Sequence, residues 1–448
     1  MYRKISLQVT ELAENIANFI WSRWMIGALI ALGFLMTYAT KGIQFRKFLY
    51  AIKTLKNSIT NENNENIGDI SSFQSFTTAL AGTVGNSNIA GVATAISIGG
   101  PGAAFWMVII APLGMATKFV EAFLSLKYRI QLPDGKSLGG PMLYIEKGAK
   151  AKWLGFSYAL FAVLAAIGGG NLSQSNSIAL VMNSQFGIPK AISGILIALL
   201  IGAIIRKGVT NIGPITEKVV PLMTIIYMSC VIIIISINIT LLPDTLMLII
   251  KSAFNPIAPA GGFAGVAIVR TIEYGIRRGV ISNEAGLGSA GIAHSAAKAK
   301  DPYHQGLIAM IGVFIDTIVI CFGTAIVVVI TGVWSNGQIS TALVASAFDT
   351  VIPFGGSVVA VCSMLFGFTT MTTWSYYGEQ TLRYIIKGNA IVPIFRILWC
   401  LLAYIGAIYG AKLIWDISDI FVGLVALPNI IGLILLYNKI KVINDSEK

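Results

Sequence analysis

A run of apolar residues at positions 76–98 is interrupted at its centre by glycines and small polar side chains. The interrupting stretch, residues 82–91, reads Gly-Thr-Val-Gly-Asn-Ser-Asn-Ile-Ala-Gly. The whole run is long enough to cross a bilayer, but glycine weakens a helix, and asparagine and serine offer the backbone competing hydrogen bonds. We therefore predict two half-helices joined by an unwound segment.

Unwound backbone at membrane depth is tolerated only where it is buried in protein or lines a water-filled cavity. The break leaves free carbonyls on the first half-helix and free amides on the second. Carbonyl ends attract cations and amide ends attract anions. A small zwitterion together with a metal cation would suit both ends, whereas the alternative is a kinked helix with tightly packed glycines.

The composition predicts a polytopic membrane protein. The chain has 448 residues, of which 55% are hydrophobic and only 12% are charged, against about 25% charged in soluble domains. The net charge of +12 is then a property of the loops, so no nucleic-acid partner is expected and the bilayer is the main partner. The four cysteines and two histidines are scattered, which argues against structural disulfides, a zinc site or any other cofactor.

We predict an all-α fold of about eleven transmembrane helices, forming a single transporter domain over residues 1–448. The predicted spans are residues 18–40, 76–98 (broken), 101–128, 153–186 (interrupted at 168–171), 188–205, 214–238, 263–297, 306–331, 351–386, 392–409 and 417–439.

The seventh span contains a second break of the same kind. Its centre, residues 281–289, reads Ile-Ser-Asn-Glu-Ala-Gly-Leu-Gly-Ser. Two broken helices five spans apart, in oppositely oriented halves, indicate an inverted repeat around a site near the bilayer midplane. Spans two to six (residues 69–240) would form one half and spans seven to eleven (258–440) the other, with residues 1–40 as an extra N-terminal span.

Loop charges set the orientation. Most of the 32 lysines and arginines fall in the loops after spans one, three, five, seven and nine and in the C-terminal tail. Because positive loops face the cytoplasm, we predict a cytoplasmic C-terminus and an external N-terminus.

Charged residues inside the spans are costly and usually paired or functional. Lys118 and Glu121 lie three apart on one helical face, so we expect them to form an ion pair. We expect Arg277 and Arg278 to pair with nearby acids. The candidates are Glu273, Glu284 and Asp316.

Five motifs resemble those of the alanine or glycine:cation symporter family. They lie at residues 85–91, 99–103, 139–142, 282–289 and 374–379, and the resemblance extends over residues 18–438. It implies a leucine-transporter-like fold, sodium-coupled uptake of alanine or glycine, and a location in the plasma membrane of a prokaryote. Ser87 departs from the family, which usually has a glycine there, and this bears on substrate preference.

The resemblance also implies a binding site for the amino acid. The Thr83 carbonyl would receive the ammonium group, and the backbone amides of the next turn would receive the carboxylate. The amide donors are Asn86, Ser87 and Asn88; the other predicted binding residues are Gln174, Ile281, Ser282, Asn283, Thr370 and Trp374.

A sodium ion is predicted between spans two and nine. The first half-helix ends near Ala81 and Val84, so their carbonyls lack intrahelical partners. The hydroxyls of Thr369 and Thr370 would complete a set of uncharged oxygens that suits a hard monovalent cation. Thr373, a turn further along, is the weaker candidate.

Two alternatives from other classes remain, and the coupling ion is open. A channel would need a continuous polar path or a repeated filter motif, and an intramembrane hydrolase would need a nucleophile with a base; neither pattern is visible, so an enzyme is not expected. Proton coupling would need a titratable group at the site, and Glu284 is the acid nearest a break.

Overall fold

The chain folds almost entirely into helices. The computed structural model describes residues 2–60, 67–255, 264–388 and 390–442. The predicted start of the seventh span at residue 263, the boundary at residue 258 and the end of the C-terminal tail lie outside these ranges. A two-stranded antiparallel hairpin pairs β1 (Ile130–Gln131) with β2 (Ser137–Leu138).

The helices follow in chain order. They are α1 (Tyr2–Ile20), α2 (Arg23–Ala39), α3 (Ile43–Arg46), α4 (Phe48–Thr60), α5 (Ser72–Thr83), α6 (Ala90–Gly99), α7 (Gly102–Lys127), α8 (Pro141–Leu143), α9 (Lys152–Ala165), α10 (Ser173–Phe186), α11 (Lys190–Ile205), α12 (Val209–Ile237), α13 (Leu242–Phe254), α14 (Ala264–Asn283), α15 (Ser289–Ser295), α16 (Pro302–Val313), α17 (Phe322–Ile330), α18 (Ser340–Asp349), α19 (Gly355–Ile386), α20 (Ile391–Ile408), α21 (Ala411–Leu435) and α22 (Tyr437–Lys441).

Short 3₁₀ turns, called tight turns below, or π-helical turns, called widened turns, continue several of these helices. The tight turns are Asn86–Asn88, Ile239–Leu241 and Val333–Ser335, and the widened ones are Tyr144–Gly148, Ala166–Leu172 and Phe314–Cys321. Helices α4, α13 and α18 lie in connections for which the sequence predicted no helix.

Within the described residues, eight helical stretches are long and apolar enough to cross a membrane. They are Gln8–Ala39, Gly102–Lys127, Lys152–Phe186, Val209–Ile237, Pro302–Ile330, Gly355–Ile386, Ile391–Ile408 and Ala411–Leu435. This confirms the prediction of an all-α polytopic membrane protein. The other three predicted spans are the shorter helix α11 and the two broken helices, which fall outside this set.

The first break lies where the glycines predict it. Helix α5 begins after Ser71, whose side chain caps it, and ends at Thr83. Gly85 is extended, and the backbone then makes one tight turn over Asn86–Asn88 before α6. A methyl group on Gly85 would lie 2.6 Å from the Thr370 hydroxyl oxygen. The close approach of α19 therefore requires glycine at this position.

The second break separates α14 from α15. Glu284 adopts a left-handed conformation with a φ of 59°, and Gly286 and Gly288 also have positive φ. A positive φ is uncommon for a residue with a side chain. The Asn283 side-chain oxygen accepts the Ala285 amide at 2.9 Å, which helps to hold the turn.

The fourth predicted span is not interrupted. Helices α9 and α10 run into one another through the widened turn Ala166–Leu172. A methyl group on Gly170 would lie 2.3 Å from the Trp374 Cβ atom, so the glycines here let α19 pack closely. Helix α19 also contacts α5 and thus lies between the first break and the α9–α10 helix.

Candidate functional site

Two threonines of α19 bind the C-terminal end of α5. The Thr370 hydroxyl donates to the Ala81 carbonyl at 3.0 Å and lies 3.3 Å from the Val84 carbonyl. The Thr373 hydroxyl donates to the Thr78 carbonyl at 3.2 Å. The structure therefore brings together three of the residues predicted to hold sodium.

Thr369 is placed differently. Its hydroxyl donates within α19, to the carbonyls of Leu365 and Phe366, both at 3.0 Å. Of the three threonines, Thr370 and the weaker candidate Thr373 are the ones that contact α5. A hydroxyl that donates to its own helix still keeps oxygen lone pairs, so Thr369 can still offer an oxygen to a cation.

Gln174 binds the unwound turn of the first break. Its side-chain oxygen accepts the Asn86 backbone amide at 3.1 Å and the Asn86 side-chain amide at 3.2 Å. Its own amide donates to the Gly169 carbonyl at 3.2 Å. Gln174 thus engages one of the backbone amides predicted to receive a carboxylate.

Asp316 connects the two breaks. Its carboxylate accepts the Asn88 side-chain amide at 2.6 Å and the Ser282 hydroxyl at 2.9 Å. The Thr317 hydroxyl donates to it at 2.9 Å and accepts the Asn283 side-chain amide at 3.0 Å. The sequence identified Asp316 as an intramembrane charge and expected an arginine partner, whereas the structure surrounds it with neutral donors.

Trp374 makes a second connection between the breaks. Its indole N–H lies 3.3 Å from the Gly82 carbonyl, at the end of α5, and 3.0 Å from a Glu284 carboxylate oxygen. The other Glu284 oxygen accepts the Ser289 hydroxyl at the start of α15. The indole of this predicted pocket residue therefore contacts both halves of the site.

The partners predicted for the two arginines of α14 are wrong. Arg277 and Arg278 both bind Asp419 in α21, the latter at 3.1 Å. Glu273 pairs instead with Arg23 at 3.5 Å. The partner lies more than 140 residues away in sequence, where no local pattern could identify it.

The predicted Lys118–Glu121 ion pair is also absent. One Glu121 oxygen accepts the Gly286 amide at 3.0 Å and the Asn429 side-chain amide at 2.7 Å. The Lys118 ammonium is buried and has no hydrogen-bond partner among the described residues. Glu121 and Asn429 thus bind the second break, a function that the sequence missed; the signal was a lone asparagine in the otherwise apolar second half of α21, residues 420–435.

The site is closed. Of the predicted binding and ion residues, only Ser87 and Ile281 are half-buried, and the others are buried. Arg129 donates to the carbonyls of Ser295, Ala297 and Ile67. These bonds join the segment before α5 to the end of α15.

The arrangement suits non-covalent binding. It offers carbonyl and hydroxyl oxygens, which ligate hard cations, beside backbone amides that bind carboxylates. No group of three or more His, Cys, Asp or Glu side chains that could hold a metal ion occurs in the part of the chain that the structure describes.

A family model described as the sodium:alanine symporter family matches residues 6–447. The chain is 39% identical to the sodium/alanine symporter AgcS of Methanococcus maripaludis, over 96% of this chain and 95% of AgcS. It is 35% identical to the probable sodium/glutamine symporter GlnT of Bacillus subtilis, over 96% of this chain and 89% of GlnT.

A solved structure shares the fold. The manganese transporter of Eremococcus coleocola superposes with a TM-score of 0.54, covering 86% of this chain and 91% of that one, at 12% identity. A likeness at this identity extends to the fold and not to the substrate.

Proposed function

Because the chain belongs to the sodium:alanine symporter family, a family of sodium-coupled amino-acid transporters and not of enzymes, we propose that it couples inward sodium movement to the uptake of alanine or glycine. Transport would proceed by alternating access. The observation that carries this proposal is the convergence of both helix breaks on shared partners, Asp316 and Trp374. A ligand that changes the hydrogen bonds at one break therefore also changes those at the other.

The proposed architecture is eleven spans with a 5+5 inverted repeat, spans two to six and seven to eleven, around the two broken helices. The matching positions of the breaks and the likeness to the manganese transporter fold support it. The loop charges support an external N-terminus and a cytoplasmic C-terminus. Bacterial relatives support the plasma membrane of a prokaryote.

The proposed sodium site uses the carbonyls of Ala81 and Val84 with the hydroxyl oxygens of Thr369 and Thr370. Support comes from the contact of Thr370 with both carbonyls, because a small cation between them would replace those hydrogen bonds. The hydroxyl hydrogen of Thr370 would then point away from the ion, just as the hydroxyl hydrogen of Thr369 already points to a carbonyl within α19. Thr373 stays the weaker candidate, since it binds α5 one turn earlier, at Thr78.

The proposed substrate site lies against the first break. The Thr83 carbonyl would accept the ammonium group, and the amides of Asn86, Ser87 and Asn88 would bind the carboxylate. Gln174 would give up its bond to Asn86 in exchange for the ligand. Ile281, Ser282, Asn283, Thr370 and Trp374 would complete the site, and Trp374 with the non-glycine Ser87 would limit the side chain to a methyl group or a hydrogen.

Proton coupling is the second candidate function. It is favoured by one observation, the buried Glu284 carboxylate that accepts the Trp374 indole N–H. A proton on Glu284 would weaken that bond and thereby act on the same site.

Uptake into vesicles reconstituted with the purified protein separates these proposals. Alanine, glycine, glutamine and leucine are offered with a sodium gradient alone and with a pH gradient alone. We expect saturable, sodium-driven uptake of alanine and glycine and little uptake of leucine. Equal uptake driven by a pH gradient without sodium would refute sodium coupling and make Glu284 the residue to test next. Leucine uptake equal to that of alanine would refute the size limit.

A further inference from the structure

A cleft of about 530 Å³ opens at the ends of two spanning helices, away from the breaks. Its walls come from the start of α9, the end of α19, the hairpin β1–β2 and the widened turn before α9. The volume is within the range of ligand-binding pockets. Because α9 and α19 are membrane-spanning, their ends place this cleft at the membrane surface.

The floor of the cleft is apolar. Leu138, Leu143, Phe156 and Ile385 line it. Phe156 is 47% exposed, and Trp153, one turn earlier on the same helix, is 70% exposed. Exposed aromatic residues at helix ends are typical of the interface between hydrocarbon and headgroups.

The rim is basic. Lys147, Lys152 and Lys387 line the cleft and are exposed, and none of the three forms an ion pair within the described part of the chain. The two acids in the cleft are already engaged, since Asp134 binds Arg383 at 3.0 Å and Glu146 accepts the Tyr384 hydroxyl at 2.6 Å. The tyrosine hydroxyl does not neutralise Glu146, but three lysines and Arg383 outnumber the two acids in the lining, so the net charge of the cleft is positive.

We propose that this cleft binds one anionic phospholipid from the adjoining leaflet. The three lysines would surround the phosphate, and the apolar floor would take the first part of the acyl chains. Basic pockets between membrane helices bind lipid headgroups in this way. A free phosphate ion would fill only a small part of the volume and leave the apolar floor in water.

Lipid in the cleft would stabilise the transport machinery. It would join α9, which continues into the helix that carries Gln174, to α19, which carries Thr370 and Trp374. The hairpin wall is tied to the segment before α5 through Asp69, which accepts the Ser137 amide at 3.2 Å. Occupancy is therefore expected to raise the resistance of the whole bundle to unfolding.

The test measures thermal unfolding of the full-length protein in a neutral detergent, with added phosphatidylglycerol or phosphatidylcholine. The variant is Lys147→Gln/Lys152→Gln/Lys387→Gln. The control is Lys53→Gln/Lys56→Gln/Lys207→Gln, which removes the same charge from three exposed lysines elsewhere on the predicted cytoplasmic side. A third arm offers glycerophosphoglycerol, the soluble headgroup without acyl chains.

Phosphatidylglycerol is expected to raise the melting temperature of wild type and control, and the lysine variant is expected to lose most of that shift. Each lysine near a membrane contributes roughly fivefold in affinity, so the variant should need roughly a hundredfold more lipid. An undiminished shift in the variant, the same loss in the control, or an equal shift with phosphatidylcholine would overturn the proposal. The absence of any shift in wild type would also overturn it. Equal protection by glycerophosphoglycerol would show that the cleft binds a soluble anion and not a lipid.

Discussion

The two helix breaks differ in how their free backbone groups are held. At the first break, between α5 and α6, the partners on other helices that reach the backbone are neutral: the Thr370 hydroxyl, the Trp374 indole and the Gln174 side chain. At the second break, between α14 and α15, the Gly286 amide binds the carboxylate of Glu121, and Glu284 lies in the turn itself.

This difference indicates that the two breaks have different functions. Neutral partners leave the first break able to exchange hydrogen bonds for a cation and a zwitterion without an uncompensated charge. Carboxylates at the second break hold it in one shape, because hydrogen bonds to charged groups are worth roughly twice as much as neutral ones. We infer that the first break supplies the backbone groups that bind the ion and the ends of the amino acid, and that the second break mainly holds the site in shape.

The largest effect is expected from Asp316→Asn. One carboxylate oxygen accepts from Asn88 and the other from Ser282, whereas asparagine has a single side-chain oxygen and a donor NH2 group in place of the second. The loss should cost about 2–4 kcal/mol of stability and reduce alanine uptake at least tenfold. Melting temperature and initial uptake rate are the measurements.

The matched control for that variant is Asp244→Asn, which changes an exposed acid in the first turn of α13. It should leave both quantities close to wild type. Asp316→Asn with normal uptake would show that the two breaks do not depend on a shared carboxylate.

An intermediate effect is expected from Trp374→Phe combined with Glu284→Gln. Phenylalanine keeps an aromatic ring beside Gly170 but removes the indole N–H that binds Gly82 and Glu284. Groups in direct contact couple by about 0.5–3 kcal/mol in a double-mutant cycle. We expect each single variant to lower uptake severalfold and the pair to lose less than the product of the two.

The same cycle run with Trp374→Phe and Glu273→Gln serves as its control, because Glu273 pairs with Arg23 instead. Additive effects for Trp374 with Glu284 would mean that the indole does not connect the breaks.

The smallest effect is expected from Ser87→Gly. Ser87 is the half-buried residue of the tight turn, and a methyl group on Gly91 would lie 3.5 Å from its Cβ atom. A glycine there should raise the affinity for alanine relative to glycine by a fewfold, at or just below the lower end of the roughly 1–3 kcal/mol assigned to one methylene. Competition of the two amino acids for uptake measures it, and an unchanged ratio would remove Ser87 from substrate selection.

Local patterns in the sequence predicted the parts of the site that depend on backbone conformation. Glycines beside asparagine and serine located both breaks, whereas the position of the α19 threonines opposite α5 was expected from the family resemblance and not from a local pattern. Partners that depend on packing between distant segments were missed. Arg277 and Arg278 meet Asp419, and Glu121 turns from Lys118 toward Gly286, because helix packing and not sequence spacing decides which side chain a charge reaches.

The most direct test of the division between the breaks is the sodium dependence of alanine uptake in Thr370→Val, Thr369→Val and Thr373→Val. Valine keeps the branched shape and removes the hydroxyl oxygen. We predict that the sodium half-saturation concentration rises about tenfold or more in Thr370→Val, less in Thr369→Val and least in Thr373→Val, because Thr370 is the residue that contacts the Ala81 and Val84 carbonyls. An unchanged sodium dependence in Thr370→Val would contradict the proposal that the first break holds the coupling ion.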